Sequence, residues 1–467
     1  MLGIELQRNG ENTLARQIYQ EVRERILNGS LPAGEVLPST RELAKQLSIS
    51  RNTVLQAYEM LTAEGFIESS QGAPTRVAEG LFLEAISAAP PPEPKTNPRI
   101  YSADFRTGQP DLRLFPRYAW LEALRHAISE MPVTYWGYSG PEGLYSLREE
   151  IAAWLYRRRG MILSPNNIFI TTGSTQALHL VADLLTRKSG GFLIEDPCHT
   201  GMRRVLETRG ILMRPVPVDE QGILTEGLSG REAMAIYLTP SHQFPLGGIL
   251  PAGRRAALIR LAREEDFYII EDDYDSEFRY NGAPVAPFQT LDPTRVVYVG
   301  TFSKTMFPAI RIGYVVIPPQ LHSRWRHLRT HADVQNPPFE QAALSEFLRS
   351  RRFDHHVNKM RKTYDQRRQA LLDSLDEMFG DTWRPWGDAA GLHLTAQFPS
   401  FDFDRNFIDR ARHNGINVTS VEHHCITKGM HTDKLLFGYG HLEPNEIREG
   451  IRILYDFMWA RNRTGTN

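Results

Sequence analysis

The sequence predicts an α/β protein: a small helical module with a β-hairpin, a spacer, and a large domain built on a mostly parallel sheet. Three observations carry that prediction. From Ile100 onward, short apolar runs such as Phe267–Ile270 and Val296–Val299 alternate with helix-like segments, as in strands joined by crossover helices. Residues 1–79 instead show three helical periods and then two short strand-like runs. Between the two regions, in residues 80–99, Pro90-Pro91-Pro92-Glu93-Pro94 and Pro98 interrupt any regular element.

The totals set limits on function. A chain of 467 residues exceeds one ordinary core, and 41% apolar with 23% charged residues is the balance of a globular protein. A formal net charge of −1 gives no global attraction to nucleic acid or membrane, so any such binding needs a local patch. Two cysteines, Cys198 and Cys425, offer neither a disulfide framework nor a zinc spacing, the usage of a reducing compartment. The first residues lack a signal-peptide layout, and no uninterrupted apolar run approaches ~18 residues. The expected location is the cytosol, with no membrane partner.

In the N-terminal module, Thr13 can cap a helix with Leu14, Ile18, Val22 and Ile26 on one face, stopped by Gly29. Ser39 and Glu42 form a capping-box pattern that starts a second helix running to about Leu47. After Ser48-Ile49-Ser50 a third helix buries Val54, Tyr58 and Leu61 and closes at Gly65. Phe66–Glu68 and Thr75–Val77 then read as two strands of a wing. That order is a winged helix-turn-helix, whose third helix enters the major groove with its first residues on the bases. Those residues are Ser50, Arg51, Asn52 and Thr53, while Arg41 and Lys45 on the preceding helix suit phosphates. Double-stranded operator DNA is the expected partner; a protein-interaction module with a solvated charged face is the competing reading.

The strings Leu37-Pro38-Ser39-x-Arg41-x-Leu43-Ala44 and Ser50-Arg51-x-Thr53-Val54-x-x-Ala57-Tyr58-x-x-Leu61 resemble the GntR-type DNA-binding domain. One departure is the wing, where Gly72-Ala73-Pro74-Thr75-Arg76-Val77 replaces the family's usual Gly-Ser-Gly-Thr-Phe-Val and offers Arg76 to the minor groove or a phosphate. The spacer that follows reads as a semi-rigid tether, anchored by a short helix over Leu81–Ile86, or as a proline-rich ligand.

In the large domain, polar loops follow the apolar runs at equivalent ends, where open α/β sheets bind ligands. Asn167–Ile170 leads into Thr171-Thr172-Gly173-Ser174-Thr175, which opens a helix and outlines a phosphate site. Phe192–Ile194 leads into Glu195-Asp196-Pro197-Cys198-His199, and Ala235–Leu238 into Thr239–Gly247. Phe267–Ile270 runs into Glu271-Asp272-Asp273-Tyr274-Asp275, and Val296–Val299 into Gly300-Thr301-Phe302-Ser303-Lys304, with Arg311 and Gly313 beyond. A lysine that is desolvated or near other cations can form a Schiff base, and a pyridoxal 5'-phosphate (PLP) site pairs such a lysine with a carboxylate for the ring nitrogen. Lys304 and Asp272 fit those two roles, Tyr274 can bond the phenolic oxygen, and Arg311 offers a fork of donors to phosphate.

The same strings, Glu271–Phe278 and Gly300-Thr301-Phe302-Ser303-Lys304-x-x-x-Pro308-x-x-Arg311-x-Gly313, resemble fold-type I PLP-dependent aminotransferases. Joined to the winged helix, they resemble the bacterial MocR/GabR regulators along almost the whole chain. That resemblance implies a mostly parallel central sheet with a small C-terminal subdomain and PLP as cofactor. It also implies a homodimer in which one chain's helix-turn-helix lies over the other's aminotransferase-like domain. By it, Lys304 carries the cofactor, Asp272 and Tyr274 hold the ring, and Ser174, Thr175, Ser303 and Arg311 hold the phosphate, with Thr301 beside them. His199 stands where relatives stack an aromatic side chain on the ring, and an imidazole there could change charge near neutral pH. Leu436 stands where aminotransferases carry the arginine that grips a substrate carboxylate, and Arg203, Arg204, His393, His423 or His424 are candidate substitutes. The expected function is a PLP-dependent transcriptional regulator that senses a small amino compound, of L or D hand, or PLP itself. An active aminotransferase with an attached DNA-binding domain is the alternative.

Overall fold

Helical periods and apolar runs set the two folding units, residues 1–98 and 99–467. The computed structural model describes residues 3–7, 12–70, 73–80, 100–282 and 285–463. The expected helix at 81–86 and the proline-rich tether lie outside the described residues.

In the first unit, α1 (Leu14–Leu27) starts at Thr13, whose side chain accepts from the Arg16 N–H, and buries Ile18, Val22 and Ile26. α2 (Thr40–Leu47) starts with the expected capping box between Ser39 and Glu42 and ends at Ser48 in the left-handed region, φ 53°. That turn delivers α3 (Arg51–Ala63), capped by Ser50. Val54 and Leu61 meet Ile18 and Val22 in the core, and Tyr58 donates to the Pro38 carbonyl at 2.8 Å. β1 (Ile67–Glu68) and β2 (Arg76–Val77) pair antiparallel as the wing. Arg76 is exposed on the wing, and its Nη1 donates to the Gly34 carbonyl at 2.8 Å.

In the second unit, β3 (Ala103–Asp104) precedes α4 (Arg117–Glu130) and α5 (Tyr145–Arg159). β4 (Ile168–Thr171) feeds α6 (Gly173–Leu185), and β5 (Gly191–Asp196) feeds α7 (Thr200–Thr208). β6 (Leu212–Asp219), β7 (Gly222–Ile223), β8 (Ala233–Leu238), β9 (Tyr268–Asp273), β10 (Val296–Thr301) and β11 (Gly313–Val316) complete an eight-stranded sheet, ordered β4-β11-β10-β9-β8-β5-β6-β7. β6, β5, β8, β9 and β10 run parallel, whereas β11 is antiparallel to both β10 and β4, and β7 to β6. The central strands are buried along their length save Tyr268 at the start of β9, which is half-buried, as a parallel sheet covered on both faces requires.

The apolar run Phe267–Ile270 alone suggests a strand ending before Glu271, yet β9 continues through Asp273. The carboxylates stay in the strand because each finds donors. Phe288 and Gln289 N–H groups donate to Glu271, Tyr237 to Asp272, and Tyr298 with Arg159 to Asp273. Buried charges persist only with such partners.

The C-terminal subdomain is a four-stranded sheet ordered β12-β13-β16-β15, from β12 (Arg384–Trp386), β13 (His393–Gln397), β15 (Thr419–Ser420) and β16 (Lys434–Gly438). β14 (Ile416–Asn417) pairs instead with β3, which ties residues 103–104 to this subdomain. Gly438 donates its N–H to the Phe105 carbonyl at 2.9 Å. A Cβ at Gly438 would collide with the Arg106 backbone, so glycine is what lets Phe105–Gly108 cross so closely.

Candidate functional site

The sheet order brings the carboxyl ends of β5, β8, β9 and β10 to the start of α6, where they wall a cavity of about 290 Å³. Ser174, Thr175, His199, Asp272, Tyr274, Thr301, Ser303, Lys304 and Arg311 all line it, so every cofactor residue expected from the sequence faces one space.

The register sets the two central groups side by side, because β9 and β10 pair with Val299 opposite Asp272. Asp272 Oδ2 accepts from Tyr237 Oη at 2.7 Å, while its buried Oδ1 has no partner. Burial pushes the Asp272 pKa up to about 6, against the pull of the Tyr237 hydrogen bond and of Lys304. Lys304 Nζ donates to the Gly108 carbonyl at 2.6 Å, and burial lowers its pKa against the attraction of Asp275 and Asp272. Gly108 adopts φ +72°, which favours glycine, and a Cβ there would stand 2.8 Å from Nζ and push it aside.

At the start of α6, Gly173 adopts φ +78°, and a Cβ there would stand 2.8 Å from Arg311 Nη2. Arg311 itself is left-handed, φ 49°, and donates to the Thr172 carbonyl at 2.8 Å. Its fork therefore sits at a helix N-terminus whose N–H groups favour anions. Thr301 and Ser303 hydroxyls bond each other at 3.1 Å.

Tyr274 Oη donates to the His242 carbonyl at 3.0 Å and lies 3.1 Å from His242 Nδ1, which in turn meets Asp275. His199 caps α7, its Nδ1 accepting the Gly201 N–H at 3.1 Å. The expected charge change near neutral pH does not hold. Surrounding protein, then Lys304 and Arg204, push the His199 pKa down to about 4. The residue keeps much of its surface open, so the firmer sign of a neutral ring is that Nδ1 accepts a backbone N–H.

Tyr237, Thr107, Gly108, Phe244 and Asp275 also line the cavity and escaped the sequence reading. Tyr237 lies in β8 and Phe244 in the loop that follows it, and the place of β8 beside β9 is a long-range pairing. Of the candidates to replace a carboxylate-binding arginine, His393 alone lines the cavity among the described residues. Leu436 is fully buried, in the cluster that contains Phe244.

On the first unit, Arg41, Lys45, Ser50, Arg51 and Asn52 are exposed and Thr53 is half-buried. Ser50 Oγ accepts the Thr53 N–H at 3.2 Å, so its hydroxyl shapes the helix start as well as facing outward. Arg51 Nε reaches Thr40 Oγ1 at 3.3 Å, which brings the starts of α2 and α3 together.

Comparisons with known proteins agree with both units. Residues 14–77 match the model of bacterial regulatory proteins of the gntR family, and residues 104–427 that of aminotransferase class I and II. The chain is 32% identical to an uncharacterized HTH-type transcriptional regulator, YdeL, of Bacillus subtilis, over 96% of this chain and 97% of that one. It is 30% identical to the probable rhizopine catabolism regulatory protein MocR of Rhizobium meliloti, over 98% and 97%. It is 32% identical to the pyridoxine biosynthesis regulator PdxR of Corynebacterium glutamicum, over 96% of each. Among solved structures, Pyrococcus horikoshii kynurenine aminotransferase, in complex with PMP, superposes with TM-score 0.70 at 25% identity over 77% of this chain and 91% of that one. The α-aminoadipate aminotransferase LysN of Thermus thermophilus, complexed with a phosphopyridoxyl leucine, gives TM-score 0.70 at 26% identity over 78% and 93%. With both units matched and full-length regulators at 30% identity or more, this chain belongs to the MocR-like transcriptional regulators, in which a gntR-family helix-turn-helix domain is joined to an aminotransferase class I and II domain.

Proposed function

We propose that this protein binds PLP in the cavity described above and regulates transcription in response to a small amino compound or to PLP itself. The observation that carries the reading is the unpartnered, buried Oδ1 of Asp272 in a cavity that also holds a desolvated lysine. An orphaned buried acceptor costs stability unless a ligand donor meets it, and a pyridinium N–H is such a donor.

The residues present fit the cofactor. Asp272 would hold the ring nitrogen, Tyr274 the phenolic oxygen, and His199 would flank the ring. Ser174, Thr175, Thr301, Ser303 and Arg311 would hold the phosphate at the start of α6, and Lys304 would anchor the cofactor covalently. When bound, PLP supplies an aldehyde that combines reversibly with primary amines. The protein's own contribution is positional and electrostatic. Burial of Lys304 raises the fraction of its amine that is neutral and nucleophilic, and the Gly108 carbonyl holds Nζ in place. Tyr237 keeps Asp272 oriented through Oδ2 and leaves Oδ1 for the ligand.

Regulation requires that the effector bind the DNA-competent and DNA-incompetent states with different affinity. The active form is a homodimer in this reading. Val133, Trp136 and Tyr138, all exposed, lie within six residues of one another and offer apolar surface suited to a second copy.

The test is the visible spectrum of purified protein reconstituted with PLP, read alongside operator binding. The parent is expected to show a cofactor band that an effector shifts while operator affinity changes. Lys304→Ala should lose the band and the response. A Lys304→Ala protein whose operator binding still followed the effector would end the proposal, and sustained turnover with a keto-acid acceptor would make the protein an aminotransferase instead.

A further inference from the structure

Among the described residues that line the cavity, the carboxylates are Asp272 and Asp275. Their surroundings suit them to different work. Asp272 bonds Tyr237 through Oδ2 and keeps a free Oδ1, so a pyridinium N–H there would take up its charge. Asp275 is 1% exposed, and among the described residues its carboxylate has one hydrogen-bonding partner: both oxygens lie 3.1 Å from His242 Nδ1. On His242, Nε2 is buried and meets no partner, so an N–H there would be an unsatisfied donor, whereas an N–H on Nδ1 is satisfied by Asp275. The pair is closed in by the C-terminal subdomain: a Cβ at Gly391 would stand 2.1 Å from His242 Cε1 and 2.4 Å from Asp275 Oδ2. Asp275 is thus fixed in place by a neutral donor and left with its charge.

Lys304 is the cation that shares this space. Against the burial that lowers its pKa, Asp275 pulls more strongly than Asp272. The other titratable groups around the two residues cannot take that part. His199, at the start of α7, and His393, in β13, stand near Lys304 and could only repel a charge on it. Tyr274, Tyr280 and Tyr439 surround Asp275 and are kept as neutral phenols by burial. Asp273 and Glu277 face Arg159, with Asp273 bonded to it at 2.8 Å. Arg311 is engaged at the start of α6.

We propose that Asp275 is the counter-charge of the Lys304 nitrogen, both in the cofactor-free chain and when that nitrogen carries the cofactor, and that His242 is the positioning residue that holds Asp275 to this task. The inference deepens the PLP-site reading above and rests on it for the cofactor-bound state. A positive charge on that nitrogen draws electrons from the carbon that an amine attacks, so a carboxylate that stabilises the charge keeps the site open to exchange at neutral pH.

The test reads proton uptake at Lys304 in two ways. In the PLP-loaded full chain, the visible band is followed from about pH 5 to 10. In the cofactor-free chain, the pH dependence of Lys304 acylation by acetic anhydride is read by mass spectrometry. Removing a nearby opposite charge disfavours the protonated nitrogen, so Asp275→Asn should move both midpoints down by about one pH unit, an about tenfold loss of proton affinity. His242→Leu leaves Asp275 buried without a donor and should move them the same way. His242→Asn, whose amide N–H can stand where Nδ1–H stood, should keep the parent midpoints. A merely structural role would lower the melting temperature of Asp275→Asn and leave both midpoints in place, which would overturn the inference. A band midpoint that rose in Asp275→Asn would overturn it too, because that is the sign expected from losing Tyr274's bond to the phenolic oxygen rather than a charge beside Lys304. Should Asp275→Asn not fold, His242→Leu decides. A chain that took up no PLP would overturn the PLP reading, and the acylation profile would still decide the charge pairing.

Discussion

Asp272 is held in the cavity wall by Tyr237 on one oxygen and by nothing on the other, with burial raising its pKa to about 6. A charge-assisted hydrogen bond to a ring N–H would offset that desolvation, so Asp272→Asn should weaken PLP binding by about 1.5–3 kcal/mol, measured by cofactor titration. Unchanged affinity would mean that the ring nitrogen finds its partner elsewhere. A second residue gives a pH signature. Burial, then His423 and His199, pushes the His424 pKa down to about 3, whereas in the unfolded chain it is about 6.5. The folded pKa is depressed, so the stability gained from a neutral His424 is full above about pH 6.5 and is lost as pH falls towards 3. His424→Gln should remove this loss: the melting-temperature gap between parent and variant should narrow as pH drops from about 6.5 to 4. A gap that stays constant across that range would place His424's proton uptake elsewhere. Lys304, Asp272 and Tyr274 were legible in the sequence because each lies in a short string ending an apolar run. Tyr237 was not, because its value comes from the place of β8 beside β9. The charge state of His199 was not either, since it is fixed by what surrounds the ring.

At the scale of elements, local chemistry was enough wherever a cap or turn decides the outcome. Thr13 and Ser39 each cap the helix they were expected to start, Ser50, expected to end the turn, caps the third, and the wing strands fall within one residue of expectation. β9 ran longer than its apolar run because tertiary partners satisfy Glu271, Asp272 and Asp273, and no local pattern reports such donors. The recognition helix now has a defined presentation: Ser50 holds its first turn, leaving Arg51 and Asn52 exposed there. If α3 reads bases, Arg51→Ala should cost about 1–3 kcal/mol of operator affinity and relax preference at one position. Lys45→Ala should weaken specific and non-specific sites alike and lower the salt slope by about 1. Fluorescence anisotropy over a salt series distinguishes them. Equal effects on specific and non-specific DNA from Arg51→Ala would make that arginine a phosphate contact.

For the whole molecule, the question is how one DNA-reading unit per chain becomes a selective regulator. A lone helix-turn-helix covers one half-site, whereas two heads fixed by a dimer read a paired site and gain from effective concentration. In the homodimer proposed above, exposed apolar groups of the second unit would supply the pairing surface. Val133 and Tyr138 are 84% and 88% exposed, and Trp136 packs its ring edge-on against Phe339 at 5.0 Å while remaining 57% exposed. Exposed apolar groups gathered in one stretch call for a covering surface, and specific interfaces need about 800 Å² from each partner. A carboxylate at the centre of such a contact would be buried without a partner. Val133→Asp with Tyr138→Asp should therefore shift the protein from dimer to monomer in sedimentation at micromolar concentration. Both side chains are already solvent-facing within the chain, so its own fold should keep the parent circular dichroism. Affinity for a two-half-site operator should fall towards that for a single half-site, because the second head no longer binds as a tethered partner. A variant that stayed dimeric would place the interface on another face, and one that became monomeric without losing operator affinity would mean that a single head carries recognition.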